Sequence, residues 1–245
     1  HIYEEDFDED LSEMMARAEV AGVSHVIMPS ISQEEYPRLE RMLSLYPHQT
    51  SAAIGLHPAY VGDDYQEQLR FVEAHIDAHP WVAIGEIGLD YYYNHSPREV
   101  QIQALEAQLQ LAVDHDLPVS FHIRDGAPDQ PSVWDDFWPI FDNFHGLRGV
   151  LHSFTDTREN LEKGFSRNLY VGLNGISTFT KDQLQKELFA SIPLERLLLE
   201  TDAPFLTPAP FRGNINKPEY VRLVAEYWVK QRNIDFDVLS QATLH

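Results

Sequence analysis

The amino-acid sequence predicts an α/β protein, specifically a (β/α)₈ barrel of the TIM type whose first strand is missing or truncated before His1. Two observations favour this fold. Short apolar or β-branched runs alternate with amphipathic stretches along the whole chain, as they do when helices cover a parallel sheet. An open doubly wound sheet would carry the phosphate-binding turn G-x-G-x-x-G after an early strand, and Gly-Leu-Asn-Gly at 172–175 does not match it. The closed barrel is therefore favoured over the open sheet.

Seven apolar runs are predicted to be β-strands, since they are too short for buried helices and most are apolar on both faces. A closed barrel has eight strands, and the sequence opens with His1, an acidic loop and the helical stretch Leu11–Ala21. We therefore expect the remaining strand to precede residue 1. In chain order the predicted strands are Ser24–Pro29, Thr50–Gly55, Trp81–Gly85, Pro118–Phe121, Arg148–Leu151, Leu169–Leu173 and Arg196–Leu199.

Two helix starts are marked by capping boxes. Ser-Pro-Arg-Glu at 96–99 places a proline at the first helical position. The apolar residues that follow, at 102, 105, 109 and 112, repeat at helical spacing and predict one buried face. Thr-Lys-Asp-Gln at 180–183 is a second capping box, and it opens the helix before the last strand.

We expect residues 1–245 to form a single barrel domain, because no linker or low-complexity tract interrupts them. No apolar run approaches the ~18 residues of a membrane span, so no membrane contact is expected. The sequence has no cysteine, which fits a reducing compartment and leaves His, Asp and Glu as metal ligands. A cytoplasmic monomer is the expectation.

The chain is strongly acidic, with 18 Lys and Arg against 39 Asp and Glu and a formal net charge of −21. Nonspecific binding along duplex DNA depends on basic residues that neutralise phosphates, so this composition argues against a protein that coats DNA. It leaves room for a nucleic-acid substrate that metal ions and a few arginines hold locally.

Ionisable side chains recur where the predicted strands end, positions that face the active-site mouth of a parallel barrel. Alone, each histidine or carboxylate could equally be structural, but burying all of them together without a cation would be costly. His1 would take the same position after the expected first strand. The other residues that share this placement are His57, Glu86, His122, His152 and Asp202.

These residue types predict a metal centre. Imidazole and carboxylate ligands suit Zn²⁺, Mn²⁺, Fe²⁺ or Mg²⁺, and their number suits two ions. Two ions about 3.5–4 Å apart need a bridging carboxylate, the role we assign to Glu86, while Asp202 would hold and deprotonate the attacking water. The predicted ligands are His1, Glu86, His122, His152 and Asp202.

Few basic residues lie near the predicted mouth. Arg124 follows the strand of His122, and Arg212 and Lys217 lie in the long loop after Asp202. Guanidinium groups beside divalent metals suit phosphate or carboxylate oxygens, and the alternative is a surface ion pair with this protein's own carboxylates. The run Tyr-Tyr-Tyr at 91–93 either stacks on a base or ring or packs as a structural loop.

The motifs around these residues resemble the signatures of the TatD-like metal-dependent deoxyribonucleases. The segments around His57, His122 and His152 follow in the family's order, so the resemblance covers the whole chain. The more specific motifs are Gly-Glu-Ile-Gly-Leu-Asp-Tyr-Tyr at 85–92, Glu-Thr-Asp-Ala-Pro at 200–204, and Arg212-Gly213 with Asn216 and Pro218.

The resemblance implies a (β/α)₈ barrel of the amidohydrolase type that binds two divalent ions, with an H-x-H pair ending the first strand. His57 is similar to a residue that contacts substrate phosphate, and Glu200 to one that supports the site. The implied metal ligands are His1 as the second histidine of the pair, Glu86 as the bridge, His122 and His152 on one ion, and Asp202 on the other.

The sequence departs from the family pattern at three places. The first strand and the first histidine of the H-x-H pair are not in the sequence, so one ligand is lacking unless residues precede His1. Tyr3 stands where an acidic residue is usual, and Lys217 where the family often has Glu.

The function implied is a divalent-metal-dependent hydrolase, using Mg²⁺, Mn²⁺ or Zn²⁺. The resemblance indicates a TatD-like deoxyribonuclease of the 3′→5′ exonuclease type, which cleaves phosphodiester bonds at single-stranded or frayed DNA ends with a metal-bound hydroxide. Arg124, Arg212 and Lys217 would hold flanking phosphates. The alternatives are a metal-dependent hydrolase of a carboxylic ester or amide, and a non-catalytic metal-binding barrel if a ligand is truly lost.

Overall fold

The computed structural model describes residues 1–93 and 95–244. These residues divide into two compact units. The central unit runs from Ile27 to His152, and the terminal unit combines residues 1–26 with the chain from Ser153 onward. The expectation of a single barrel domain over residues 1–245 stays a prediction.

Strands and helices alternate, as the hydrophobic pattern predicts. The described residues contain seven β-strands: β1 (Val26–Pro29), β2 (Thr50–Ile54), β3 (Ala83–Asp90), β4 (Val119–Arg124), β5 (Gly149–Leu151), β6 (Tyr170–Leu173) and β7 (Leu197–Leu199). The α-helices among the same residues are α1 (Leu11–Val20), α2 (Tyr36–Leu45), α3 (Tyr65–His75), α4 (Arg98–Asp114), α5 (Val133–Asp142), α6 (Arg158–Ser166), α7 (Ile176–Phe179), α8 (Gln183–Ser191), α9 (Val221–Arg232) and α10 (Phe236–Ala242).

The structure confirms all seven predicted strands, and with them the parallel α/β class. It differs at the ends of two strands, because β3 continues to Asp90 and β4 to Arg124 instead of ending at Gly85 and Phe121. Described residues provide seven strands, not the eight of a closed barrel, and an eighth strand before His1 stays a prediction.

In the central unit the strands follow one another in chain order from β1 to β5, and β3 pairs in parallel with both β2 and β4. Buried parallel strands must be apolar on both faces, and Ile84, Ile87 and Leu89 of β3 are fully buried. On β4, Phe121 packs edge-on against Phe137 of α5, with 5.2 Å between ring centroids. The apolar face predicted for α4 is confirmed at Leu105, Leu109 and Ala112, all buried.

In the terminal unit β6 pairs in parallel with β7, in a register that sets Val171 opposite Leu197. Trp228 of α9 packs edge-on against Phe189 of α8, with 6.4 Å between ring centroids. The Trp228 indole N–H donates to Ser177 Oγ at 2.9 Å, which satisfies a polar group that burial would otherwise leave unpaired.

Both predicted capping boxes are wrong in detail. Helix α4 begins at Arg98 after Pro97, with no side-chain cap, so Pro97 precedes the first helical position instead of occupying it. Helix α8 begins at Gln183, and the carboxylate of Asp182 accepts from the backbone N–H groups of residues 184 and 185. Thr180 accepts instead from the N–H of Asp182, because Asp competes successfully for the cap position.

Among residues 1–93 and 95–244, no helix is long and apolar enough to cross a membrane.

Candidate metal centre

Glu86 lies inside β3 at an irregularity in strand pairing. Ile84 is opposite Val119 and Ile87 is opposite Phe121, so β3 carries one more residue than β4 between these pairs. A bulge of this kind bends the strand and re-aims a side chain, and bulges are frequent beside active sites. It leaves the Glu86 side chain almost completely buried, with 3% of the residue exposed.

Three imidazoles of the central unit surround the Glu86 carboxylate. Its Oε2 lies 3.4 Å from Nε2 of His57 and 3.8 Å from Nδ1 of His122, and its Oε1 lies 3.5 Å from Nε2 of His152. These separations are long for hydrogen bonds. Two atoms bound to one divalent ion at about 2.1 Å in tetrahedral geometry lie about 3.4 Å apart. The donor set and its spacing therefore fit a divalent ion at Glu86.

Asp90 sets the orientation of the His122 ring. Its Oδ2 lies 2.8 Å from Nε2 of His122, so the ring donates its Nε2 proton there and its Nδ1 lone pair is left facing Glu86. A carboxylate behind a ligating imidazole is the usual means of fixing a metal ligand's tautomer. Burial raises the pKa of Asp90, but hydrogen bonds from His122 and from the backbone of Tyr93 and Tyr92 outweigh it, and the pKa lies below its ordinary value.

A buried glutamine of α4 fixes Asp90 in turn. The Gln101 side chain accepts from the backbone N–H of Asp90 at 2.8 Å and donates to its carbonyl at 3.0 Å. This pairing occupies both backbone groups of Asp90 and holds the end of β3 against α4. The orientation of His122 therefore depends on a chain of contacts that reaches into the helix layer.

His57 has the opposite tautomer to His122. Its Nδ1 accepts from the backbone N–H of Ala59 at 3.0 Å, at the start of the 3₁₀ turn Pro58–Tyr60. A nitrogen that accepts this bond has no proton, so the proton of the neutral ring is on Nε2, the atom that faces Glu86. His57, Glu86 and His122 converge closely enough to suggest three ligands. The Nε2 proton of this tautomer can be donated to an anion, so the phosphate-contacting role that the family resemblance implies for His57 stays a prediction.

The terminal unit brings together His1 and Asp202. His1 Nε2 lies 3.7 Å from Asp202 Oδ1, and both side chains are mostly buried. His1 Nδ1 contacts the hydroxyl of Tyr3 at 3.0 Å, and the His1 backbone nitrogen donates to the carbonyl of Ala203. Tyr3, which stands where the family usually has an acidic residue, is therefore a partner of the His1 ring.

Asp202 lies in a loop whose backbone is held in an unusual conformation. Its φ is +60°, in the left-handed region that few non-glycine residues adopt. Asn216 is fully buried and donates its side-chain amide to the carbonyls of Thr201 and Phe205 at 2.8 and 2.6 Å. These two bonds tie the backbone on either side of Asp202.

Glu200 acts on the residue that follows His152 in the chain. Its Oε1 accepts the backbone N–H of Ser153 at 2.6 Å and lies 3.3 Å from the amide nitrogen of Asn174. Ser153 has a φ of +49°, so Glu200 stabilises a second strained position of the terminal unit. The supporting role that the family resemblance implies for Glu200 stays a prediction.

The predicted phosphate-binding residues have different surroundings. Arg124 is exposed and its guanidinium lies over the rings of Tyr92 and Tyr93 in the central unit. In the terminal unit, Arg212 lies over the Phe179 ring, and Lys217 forms an ion pair with Asp10 at 3.3 Å. The surface ion pair that the sequence left open is therefore observed for Lys217.

Sequence reasoning missed Asp90, Gln101 and Asn216 as positioning residues. Asp90 and Asn216 belong to the motifs that carry the family resemblance, and that was the available signal. No sequence signal marked Gln101, because a glutamine in a helix has the same local pattern whether it is exposed or buried.

A family model described as "TatD related DNase" matches residues 1–245. The uncharacterised metal-dependent hydrolase YabD of Bacillus subtilis is 34% identical over 244 residues, which are 99% of this chain and 93% of that protein. The 3′-5′ ssDNA/RNA exonuclease TatD of Citrobacter rodentium is 33% identical over 97% of this chain and 90% of its own. The crystal structure of YJJV, a TatD homologue from Escherichia coli K12, matches with a TM-score of 0.89 and 29% identity, over 100% of this chain and 92% of that one.

Proposed function

This chain belongs to the family of TatD-related DNases and is a metal-dependent hydrolase acting on ester bonds, and we propose that it is a 3′→5′ exonuclease of single-stranded or frayed DNA ends. The observation that supports this most directly is the buried Glu86 carboxylate among three imidazoles, two of which, His57 and His122, have opposite tautomers. This arrangement places metal ligands beside a group that can donate a hydrogen bond to an anion.

We propose two divalent ions, Mg²⁺, Mn²⁺ or Zn²⁺, held on the fold of a (β/α)₈ barrel. When bound, such ions polarise a phosphodiester and lower the pKa of water near it. The residues that would hold the ions are His1, Glu86, His122, His152 and Asp202. Glu86 would be the ligand shared by both ions, in keeping with the sequence pattern and with family membership.

The chain's own residues then have separate tasks. Asp202 would accept the proton of the attacking water, and the bonds from Asn216 hold the backbone of its loop in place. His57 donates its Nε2 proton in a hydrogen bond to a phosphate oxygen, because its Nδ1 is occupied by the Ala59 N–H. Arg124 and Arg212 bind flanking phosphates, and Lys217 can join them only by leaving its ion pair with Asp10. Their charge matters in a chain with a net charge of −21.

Hydrolysis of a 5′-labelled single-stranded oligodeoxynucleotide tests the proposal. We expect a ladder that shortens one nucleotide at a time from the 3′ end with Mg²⁺ or Mn²⁺ and stops with EDTA. A phosphorothioate linkage at the 3′ end should block shortening, and the same linkage at the 5′ end should not.

Matched variants separate the site from general damage to the fold. Glu86→Gln should be inactive, whereas Glu106→Gln, the same change at an exposed position of α4, should match the wild type. Shortening that persists in EDTA, or an active Glu86→Gln protein, would show that the reaction does not use this centre. Metal binding without cleavage of any oligonucleotide would move the assignment to a carboxylic ester or amide.

A further inference from the structure

Three consecutive tyrosines follow β3, and the first belongs to the fold. The Tyr91 hydroxyl donates to Asp136 of α5, which also pairs with Arg98 of α4. Burial, with the contact to Asp136, raises the pKa of Tyr91 above its ordinary value. Tyr91 therefore links β3 to two helices, and its role is structural.

Tyr92 and Tyr93 lie in different surroundings, with 58% and 53% of their surfaces exposed. Their rings are edge to face, 5.1 Å apart, and the Tyr93 ring stacks on His95. The Arg124 guanidinium lies 4.0 Å from the Tyr92 centroid and 4.8 Å from that of Tyr93. Two large aromatic side chains are thus ordered on the surface instead of being used to fill the core.

A short hydrogen-bonded path ties this pair of rings to the metal centre. One oxygen of Asp90 accepts the backbone N–H groups of Tyr92 and Tyr93 at 2.9 and 3.1 Å. The other oxygen of the same carboxylate lies 2.8 Å from the ring nitrogen of His122. A single side chain therefore sets the positions of a metal ligand and of both tyrosines.

Strand β4 places Arg124 on the same side as His122. Side chains two residues apart on a strand point to one face, about 6–7 Å apart along it. A guanidinium stacked on a ring keeps its edge N–H groups available, so Arg124 can hold a phosphate while its face contacts Tyr92.

We propose that Tyr92 and Tyr93, with Arg124, form a stacking platform that binds a nucleobase of the single strand being hydrolysed. The proposal rests on the nuclease function proposed above and names how its substrate is held. Every base has a π-face, so a ring platform binds single strands with little sequence preference. Stacking also suits an acidic protein, because it supplies affinity for the substrate that the small number of basic residues could not provide alone.

Oligodeoxynucleotides with and without bases test the platform. One substrate carries ordinary bases and the other, of equal length, carries tetrahydrofuran abasic residues with the same phosphates. We expect the wild type to show a KM about 10-fold or more lower on the base-bearing strand, since stacking on one aromatic ring contributes about 1–3 kcal/mol per base. Tyr92→Ala should raise KM on that strand about 10-fold and leave the abasic strand unchanged. An oligoribonucleotide arm should behave like the DNA arm, because stacking uses the base and not the sugar.

The variants and substrates separate the possible failures. Tyr92→Phe should retain wild-type KM, and a Phe variant as weak as the Ala variant would assign the effect to the hydroxyl and overturn stacking. Equal KM values on both strands in the wild type, with normal turnover, would overturn the platform while the nuclease function stands. No cleavage of either strand with Mg²⁺ or Mn²⁺ would overturn the nuclease function and the platform with it.

Discussion

The two units hold their reactive side chains by different means. In the central unit Glu86 and His122 lie within paired strands, and their neighbours Asp90 and Gln101 are buried. In the terminal unit Asp202 lies in a loop with a φ of +60°, tied down by the amide of Asn216. Strand pairing fixes a side chain through many backbone hydrogen bonds, whereas a loop depends on a few side-chain contacts.

This difference predicts how far the structural effect of a substitution extends in each unit. A change in the central unit that disturbs strand pairing should affect the whole fold, because β3 and β4 are part of its core. A change in the terminal unit should move one carboxylate while the fold survives. Paired substitutions, one in each unit, test whether this difference holds.

The largest contrast is expected between two glycines. A Cβ at Gly88 would lie 1.8 Å from the backbone oxygen of His122, so Gly88→Ala must separate β3 from β4. We expect a loss of more than about 4 kcal/mol in the free energy of unfolding, which leaves little folded protein. A Cβ at Gly172 would instead lie 2.2 Å from the Glu200 carboxylate, the end of a flexible side chain.

Gly172→Ala should therefore fold, at a cost of about 1–3 kcal/mol for overpacking, and lose activity because Glu200 leaves Ser153. Urea denaturation and oligonucleotide hydrolysis measure the two effects. Equal stability of both alanine variants would contradict the contrast between the units.

The next contrast concerns the two carboxylates assigned to the metals. Glu86→Gln should lose both ions, because it removes the shared ligand. Asp202→Asn should keep about one ion per chain while kcat falls by about 10²–10⁴, the usual contribution of a positioned base. Metal content of the purified variants and single-turnover hydrolysis provide the measurements. An Asp202→Asn protein with no metal, or with normal turnover, would contradict the assignment.

A smaller effect is expected from the residue behind His122. Asp90→Asn keeps the shape of the side chain but removes the carboxylate that accepts the His122 proton, so metal affinity or kcat/KM should fall about 10–100-fold. Asp129→Asn, an exposed position of the same unit, is the matched control. If both variants retain full metal affinity and activity, Asp90 has no role in orienting the ligand.

The same contrast explains what the sequence could predict. The strands could be predicted because an apolar run is a local pattern. Glu86, His122 and Asp202 could be predicted because each follows such a run directly or within a few residues. The extension of β3 to Asp90 was not recognisable, since a carboxylate in a buried strand is stable only through His122 and Gln101, which are distant in sequence. For the same reason Asn216 could be seen as part of a motif but not as a clamp on the loop of Asp202.

Local competition accounts for the remaining differences. Thr180 and Asp182 are both good caps within a few residues, and only the observed bonds from the first turn of α8 decide for Asp182. Lys217 could have faced a phosphate or a carboxylate, and its pairing with Asp10 depends on a contact across most of the chain.

The smallest contrast lies between two paired aspartates, Asp136 of the central unit and Asp10 of the terminal unit. Burial raises the pKa of Asp136, but the hydrogen bonds from Arg98 and Tyr91 outweigh it and the pKa is lowered. Arg17 likewise lowers the pKa of Asp10, whose side chain is 40% exposed against 12% for Asp136. We expect Asp136→Asn to cost about 1 kcal/mol of unfolding free energy at pH 7 and Asp10→Asn less than about 0.5 kcal/mol.

The pH dependence of unfolding gives the sign of the Asp136 contribution. A carboxylate whose pKa is lowered in the folded state stabilises the fold above its unfolded pKa of about 3.9, and this stabilisation is lost as the pH falls through the folded value. The difference between wild type and Asp136→Asn should therefore be constant near neutral pH and shrink below about pH 4. A difference that stayed the same down to pH 2 would show that Asp136 contributes through packing instead of charge.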